Sequence, residues 1–282
     1  MIPIADETPV RRFPLVTVIL MAICVVVFFA IQPTRITTEH FFSPGLELVN
    51  QDELQFLVDN AAIPCEIVKG RPLTEREFRD TFDFGDDSAC SDRDGRRHSA
   101  GKIVYLGLLA SMFLHGSPEH LFGNLLFLWV FGNDIEHRWG RWRYLLLYAV
   151  GGVIASLAHV LSDPNSTVPM IGASGAIAAV MGAYLVCYPA NRVKTIIFFG
   201  PMLLRKVKAF WLLLTWLVLQ LLLISGESGI AWAAHVGGFL FGVLLGLLWR
   251  RRGRDRDVSP EPAPEPEPEP SPEPQPVVIP GA

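Results

Sequence analysis

The sequence predicts an all-α membrane protein built as a bundle of six transmembrane helices. Half of the 282 residues are hydrophobic and only 18% are charged. The apolar residues are gathered into long blocks, which is typical of a chain that crosses a membrane several times. Three of these blocks also carry polar side chains at a similar depth, and that pattern is typical of a functional site.

Six blocks are long or dense enough to predict spans: Phe13 to Ile31, His120 to Val130 with its flanks, Leu145 to Leu161, Ile171 to Tyr188, Phe210 to Ser225, and Ile230 to Trp249. Two shorter apolar runs, Ile103 to Leu114 and Ile196 to Leu204, fall well below the roughly 20 residues that a span needs. We expect these two runs to be interfacial or re-entrant segments.

Lysine and arginine in the short loops predict that both termini are cytoplasmic. With the N-terminus inside, the loops on that side contain Arg11, Arg12, Arg138, Arg141, Arg143, Arg192, Lys194, Arg205, Lys206, Lys208 and the cluster Arg250 to Arg256. The short outer loops, Ser162 to Met170 and Gly226 to Gly229, contain none. Such an asymmetry sets the orientation of a multi-pass protein. The first block has a basic start but a poor cleavage site after it, so we interpret it as an anchor and not as a signal peptide.

The predicted organisation has five parts: a cytoplasmic N-terminus (1–12), a first transmembrane anchor (13–32), a polar extracytoplasmic insert (33–101), a core of helices two to six (102–252) and a disordered cytoplasmic tail (253–282). The tail alternates proline and glutamate, and this composition cannot bury apolar surface. The formal charge of −4 combines basic inner loops with acidic outer and tail segments. It therefore says little about partners.

The insert is predicted to contain short helices, and its sequence indicates no catalytic or binding site that we can name. Asp52 to Ala62 has apolar residues at helical spacing, and Thr74 followed by Glu77 reads as a capping box. Ser88 to Gly101 is rich in Asp, Arg, Ser and Gly. This stretch either belongs to a folded insert or forms a flexible linker.

The four cysteines fall into two pairs. Cys24 and Cys187 lie in apolar helices, where a cysteine usually packs as a small apolar side chain. Cys65 and Cys90 both lie in the insert, outside the membrane in the predicted orientation. They are either free or joined by a disulfide, which would stabilise the insert by about 3 kcal/mol.

Four polar residues inside the predicted spans form a candidate site: His120, Asn124, Ser174 and His235. The second, fourth and sixth spans all run from outside to inside, so these residues fall in the outer half of the membrane. Polar side chains are costly there and usually functional. Because His120 and Asn124 are four residues apart, they share one helix face.

Small residues predict that the fourth and sixth helices pack closely in lipid. One side of the fourth helix carries Gly175, Ala178, Ala179 and Gly182, and one side of the sixth carries Ala234, Gly238, Gly242 and Gly246. If these faces meet, Ser174 and His235 come within reach of each other. Gly172 would give the backbone latitude where it enters the fourth helix.

These residue types suit acyl transfer. A serine hydroxyl needs a neighbouring base, and an imidazole can act as one near neutral pH. We therefore predict Ser174 as the nucleophile and His235 as its general base. Without an Asp or Glu in the third to sixth spans, a full triad is not expected. His120, Asn124 and the backbone N–H of Ser174 are the predicted oxyanion hole.

Each of these residues also has a structural interpretation. A lone serine in a membrane helix usually hydrogen-bonds to its own helix. His235 would then make a structural hydrogen bond between helices, as we expect for His159. We expect His115 to be a solvated loop residue. A transporter or metal site using His115, His120 and His235 has little support, because no carboxylate accompanies them.

Several motifs, in order, resemble those of the rhomboid intramembrane serine proteases. They are HGSPEHLFGN with His115, His120 and Asn124, EHRWGRWR from Glu136, GASGA around Ser174, and AHVGGFLFG after His235. The resemblance covers roughly residues 105 to 250 and the first anchor. It implies a six-helix core and the same roles for Ser174, His235, His120 and Asn124. One departure is Ala178, where some family members have a tyrosine that stacks on the catalytic histidine.

The resemblance implies an intramembrane serine endopeptidase that needs no metal or cofactor and has no nucleic-acid partner. Its substrates would be single-pass membrane proteins, cut in the lipid bilayer near the outer face. We expect a multi-pass protein of a bacterial plasma membrane. The alternative is a catalytically silent relative that binds transmembrane segments and escorts or retains them.

Overall fold

The structure is a computed structural model that describes residues 1–6, 13–34, 50–91, 95–198, 202–222 and 231–249. Several predictions concern residues outside these ranges. They are Arg11 and Arg12, the loop Gly226 to Gly229, the end of the fifth span at Ser225, the cluster Arg250 to Arg256 and the Pro-Glu tail.

Among the described residues, the bundle consists of six helices: α1 (Leu15–Val26), α6 (Pro118–Trp139), α7 (Arg141–Ser162), α8 (Ser174–Cys187), α9 (Ala209–Leu222) and α10 (Trp232–Trp249). A π-helical turn, Val27–Ile31, extends α1. Among the described residues, α7 and α10 are long and apolar enough to cross a membrane, whereas α1, α8 and α9 are shorter apolar helices. The number of six spans therefore stays a prediction.

Helix α8 lies at the centre of the bundle, because it packs against α6, α7, α9 and α10. Its residues from Ala176 to Tyr184 are all buried. The ends of α6 are set by local sequence: Ser117 caps its N-terminus ahead of Pro118, and Gly140, at φ +82°, separates it from α7. A positive φ is readily adopted by glycine, which has no Cβ.

A buried carboxylate attaches α1 to the bundle. Glu136, near the end of α6, accepts hydrogen bonds from the backbone N–H of Val16 at 2.9 Å and of Thr17 at 2.8 Å. It also accepts one from the Thr17 hydroxyl at 2.9 Å. The first turn of α1 has N–H groups without helical acceptors, and Glu136 supplies two of those acceptors.

The described residues 50–91 and 95–101 of the insert are folded and contain three helices: α2 (Gln51–Asn60), α3 (Pro64–Lys69) and α4 (Glu75–Phe82). The helix predicted at Asp52 to Ala62 is α2, and the capping box of Thr74 and Glu77 is present at the start of α4. Cys65 and Cys90 form a disulfide. The two cysteines pack with buried Val58, Ile63 and Leu73 in a small apolar cluster.

The described part of Ser88 to Gly101 belongs to this folded insert. Ser91 donates from its backbone N–H to Glu77, and His98 donates from its N–H to the Leu73 carbonyl, both at 2.9 Å. These contacts favour the folded alternative over a flexible linker.

Two charged groups, one in the insert and one directly after it, are unusually buried. Lys102 and Glu66 form an ion pair with almost no exposed side-chain surface. Burial raises the pKa of Glu66 and lowers the pKa of Lys102, and the attraction between the two opposes both changes. Burial also opposes the ionisation of Glu77, but hydrogen bonds from Arg71, Thr74 and Ser91 outweigh it and lower the pKa of Glu77 to about 2.

The segment between the insert and α6 is a series of short helical turns: a 3-10 turn (Val104–Leu106), α5 (Gly107–Ala110) and a second 3-10 turn (Ser111–Phe113). This irregular form agrees with the expectation that Ile103 to Leu114 does not span a membrane.

A three-stranded antiparallel sheet lies at the opposite end of the bundle from the insert. Its order is β1 (Ile2–Asp6), β2 (Arg192–Phe198) and β3 (Met202–Lys208). The all-α prediction is therefore wrong for these residues. The described part of Ile196 to Leu204 lies in β2 and β3, and its interfacial or re-entrant position stays a prediction. Buried Val193 and Thr195 alternate with exposed Arg192 and Lys194, which is the period of a strand.

Candidate active site

Ser174 and His235 lie in direct contact at the insert end of the bundle. The Ser174 Oγ atom is 2.8 Å from Nε2 of His235. Ser174 is the first residue of α8, and His235 lies in the first turn of α10. The serine hydroxyl therefore hydrogen-bonds across helices to the imidazole.

Glycines bring these two side chains together. A Cβ placed on Gly238 would collide with the carbonyl oxygen of Gly175, and one on Gly242 would collide with that of Ala179. A Cβ on Gly175 would lie 2.7 Å from that of Ala155 on α7. Gly175 thus makes room for α7, whereas the close approach of α8 and α10 at this level depends on Gly238. Side chains at these positions would push the backbones apart and separate Ser174 from His235.

A third group, which the sequence analysis missed, completes the contacts of the histidine. Oε1 of Gln220, on α9, lies 2.6 Å from Nδ1 of His235, and the Gln220 side chain is buried. Gln220 and Thr215 are the two polar side chains of α9, so the rule that polar residues in a span need a reason would have found it.

An aromatic ring packs against His235 where the family's tyrosine is absent. Ala178 is fully buried, and the ring centroid of Trp216, on α9, lies 5.7 Å from that of His235. Trp216 and Gln220 are four residues apart and share one face of α9. The aromatic contact and the Nδ1 contact of His235 therefore both come from α9, while α8 contacts its Nε2 through Ser174.

His120 and Asn124 lie beside the turn that leads into Ser174. Gly172 has φ +113°, which glycine adopts without a steric penalty. A Cβ at this position would lie 2.6 Å from Nε2 of His120 and 3.6 Å from Nδ2 of Asn124. Nδ2 of Asn124 is buried, and no described residue accepts a hydrogen bond from it. Two side-chain donors thus face the backbone next to the serine.

The structure corrects two other histidine predictions. His115 is fully buried and not solvated, because its ring packs edge-on against His120 at 5.3 Å and its backbone bonds to Gln32. His159 was expected to make a hydrogen bond between helices. Its Nδ1 is instead buried with no partner among the described residues. The two ring nitrogens of His235 contact Gln220 and Ser174, not His115 or His120.

Comparisons with known proteins agree with this architecture. Residues 104–252 match the Rhomboid domain. The chain is 34% identical over 161 residues to "Presenilin-associated rhomboid-like protein A, mitochondrial" of Danio rerio. It is 32% identical over 135 residues to "Rhomboid protease GluP" of Bacillus subtilis (strain 168) and 32% identical over 154 residues to "Rhomboid protease AarA" of Providencia stuartii.

These alignments cover 54%, 48% and 49% of this chain and 41%, 24% and 53% of the three relatives. The chain therefore spans about a quarter to about a half of the length of the curated relatives that it matches. The whole insert (33–101) lies outside the matched domain, which starts at residue 104.

Proposed function

The chain belongs to the rhomboid family of helical membrane proteins, and on this basis we propose that it is an intramembrane serine endopeptidase with Ser174 as nucleophile and His235 as general base. The 2.8 Å contact between Ser174 Oγ and His235 Nε2 carries this proposal. Serine nucleophiles are recognised by such a contact to a base that is itself oriented by a further group.

In the proposed reaction, Ser174 Oγ attacks the carbonyl carbon of the scissile peptide bond while His235 Nε2 takes the hydroxyl proton. The tetrahedral intermediate collapses as the C–N bond breaks, and His235 returns the proton to the leaving amine. Water then attacks the acyl-enzyme with His235 again as base, which releases the carboxylic acid product and restores Ser174.

The negative charge of the intermediate needs donors aimed at its oxygen. We assign this role to Nδ2 of Asn124, the His120 side chain and the backbone N–H of Ser174. The Asn124 amide supports the assignment, because its Nδ2 is buried and donates a hydrogen bond to no described residue. Removing one such donor typically lowers the rate by about 10²- to 10³-fold.

We assign single-pass transmembrane proteins as substrates, cut in the lipid bilayer near the outer face. The site lies at one end of the bundle, at the starts of α6, α8 and α10. The lysine and arginine asymmetry supports placing this end on the outer side, and we propose a bacterial plasma membrane as the location. Two of the similar proteins are named as rhomboid proteases.

Cleavage of labelled single-pass segments by the purified full chain in detergent tests the proposal. Wild type is expected to cut members of a broad panel, and Ser174→Ala and His235→Ala are expected to cut none. Equal cleavage by the alanine variants would contradict the proposal. Binding without cleavage across the whole panel would favour an escort protein instead.

A further inference from the structure

We infer that Gln220 is a positioning residue that holds His235 in the tautomer needed for its role as a base. This inference rests on the proposed function. Oε1 of Gln220 lies 2.6 Å from Nδ1 of His235, while Nε2 of the same ring faces Ser174 at 2.8 Å. An acceptor at Nδ1 places the ring proton there and leaves Nε2 free to accept the serine proton.

The direction of the amide matters. If Gln220 donated its NH₂ to Nδ1, the ring proton would lie on Nε2, and His235 would donate to Ser174 instead of taking its proton. A carboxylate at this position can only accept when ionised, whereas a methionine has nearly the same shape without a strong acceptor. These two substitutions therefore separate the acceptor role from a packing role.

The experiment measures how fast a fluorophosphonate probe labels the full chain. Gln220→Met is expected to lose at least about tenfold in labelling rate, because it disturbs a base whose contribution is about 10²- to 10⁴-fold. Gln220→Glu is expected to recover most of that rate. Both variants should keep the wild-type melting temperature.

Two outcomes would overturn the assignment of Gln220: Gln220→Met labels as fast as wild type, or Gln220→Glu is as slow as Gln220→Met. A different outcome would contradict the proposed function itself: the wild-type protein is as well folded as Ser174→Ala, but the probe does not label it.

A different set of contacts carries a second inference, about the insert. The loop 163–173, here called the nucleophile loop, connects α7 to Ser174 and is hydrogen-bonded to the insert. The backbone N–H of Cys65 donates to the Ser166 carbonyl at 2.9 Å, and that of Met170 donates to the Ala62 carbonyl at 2.8 Å. The insert therefore hydrogen-bonds to this loop at two positions, Ser166 and Met170.

Thr167, in the middle of the nucleophile loop, is fully buried by the insert. Its backbone N–H and its hydroxyl donate to the Asp87 carbonyl at 2.8 and 2.9 Å. Its hydroxyl oxygen also lies 2.6 Å from that of Thr81 on α4. Every polar contact of this threonine that the structure shows is thus made with the insert.

The disulfide joins the two parts of the insert that bind the loop. Cys65 itself contacts Ser166, and Cys90 follows three residues after Asp87, which contacts Thr167. We further infer that the insert fixes the nucleophile loop and, through the loop, the position of Ser174. The disulfide covalently joins the two parts of the insert that make these contacts. This inference also rests on the proposed function.

Hydrogen exchange and probe labelling of the full chain test whether the insert fixes the nucleophile loop. Reduction of the Cys65–Cys90 disulfide, or Thr167→Val, should raise amide exchange in the peptide 163–173. Both should also lower the labelling rate of Ser174 by between about 3-fold and 10²-fold, since misplacement by about 1 Å can have an effect of the larger size. The double variant Cys65→Ala/Cys90→Ala should match the reduced protein and no longer respond to reductant.

Ser162→Ala is the matched control in the same region, since its hydroxyl bonds only within α7 and the side chain is exposed. It should exchange and label like wild type. Unchanged exchange in 163–173 after reduction and in Thr167→Val would contradict the inference, whatever the activity. Faster exchange with an unchanged labelling rate would also contradict it, because the loop would then not position Ser174.

Discussion

In the bundle, backbones touch where glycines replace side chains, whereas in the insert a disulfide, a buried ion pair and a buried carboxylate connect short helices. Gly238 and Gly242 bring α10 against α8. In the insert, the single carboxylate of Glu77 accepts hydrogen bonds from three residues: Arg71, Thr74 and Ser91.

This difference follows from what each region can bury. Helices in lipid gain little from the hydrophobic effect between one another, so they depend on close packing of small residues. The insert is too small for a large apolar core, and such domains commonly depend on disulfides. We therefore expect shape to decide the stability of the bundle, and charge and redox state to decide that of the insert.

The largest expected effect is on the bundle, in Gly242→Leu. The new side chain would collide with the backbone of Ala179, and we expect a loss of about 3 kcal/mol or more, a large part of the free energy of unfolding of a typical domain. The matched control is Leu240→Phe, at an exposed position on the same helix. Thermal unfolding in detergent measures both, and a wild-type melting temperature for Gly242→Leu would show that shape does not decide the stability of the bundle.

The next effect, in Asn124→Ala, concerns the proposed chemistry and not the fold. We expect a loss of about 10²- to 10³-fold in cleavage rate with an unchanged melting temperature. Asn133→Ala, at a buried asparagine further along the same helix, should leave the rate unchanged. Equal rates for Asn124→Ala and wild type would remove Asn124 from the oxyanion hole.

A smaller effect is expected on the insert, whose stability should fall in acid because of Glu77. Because the pKa of Glu77 lies at about 2 in the folded insert, below the ordinary value of 4.5, its ionised form stabilises the fold above that ordinary value. This stabilisation, up to about 3 kcal/mol, is lost as the pH falls from about 4.5 toward 2.

Hydrogen exchange of the full chain between pH 6 and pH 3 measures this response. Peptides of the insert should lose protection in wild type, whereas Glu77→Gln should start with less protection and change less. Glu75→Gln, on the same helix but half-exposed, is the control and should resemble wild type. If the insert of Glu77→Gln lost protection over the same pH range and by the same amount, Glu77 would not be the group responsible.

The smallest expected effect is Thr17→Val, which removes one hydrogen bond to Glu136 and keeps the two backbone bonds. We expect a loss of about 1 kcal/mol, measured as a lower melting temperature. Thr17→Ser keeps the hydroxyl and should be closer to wild type. A loss as large as that of Gly242→Leu would mean that buried polar contacts, and not shape, decide the stability of the bundle.

The contact between Ser174 and His235 could be predicted because small residues at helical spacing fix which helix faces meet. Gln220 could not be found by a search for acids, although its place in an apolar helix was visible in the sequence. The β2–β3 hairpin is hard to predict because the apolar run in its second half hides the strand alternation at its start, at Arg192, Val193, Lys194 and Thr195. The burial of His115 depends on tertiary contacts with Gln32, which no local pattern reveals.

The insert shows the same limit. Its capping box at Thr74 and Glu77 was predictable because it is a local pattern, and so was the helix near Asp52. The pairing of Cys65 with Cys90 was left open by the sequence, since it depends on how α3 and the segment after α4 meet. The contact of Thr167 with Asp87 joins residues 80 positions apart, and nothing in the sequence near either residue indicates it.

The most direct test of the central claim is to identify the residue that a fluorophosphonate probe modifies in the purified full chain. Mass spectrometry of the labelled peptides should find a single adduct on Ser174, and the adduct should be absent from Ser174→Ala and strongly reduced in His235→Ala. A folded protein that takes up no probe, or that carries the adduct on another residue, would contradict the assignment of Ser174 as a nucleophile activated by His235.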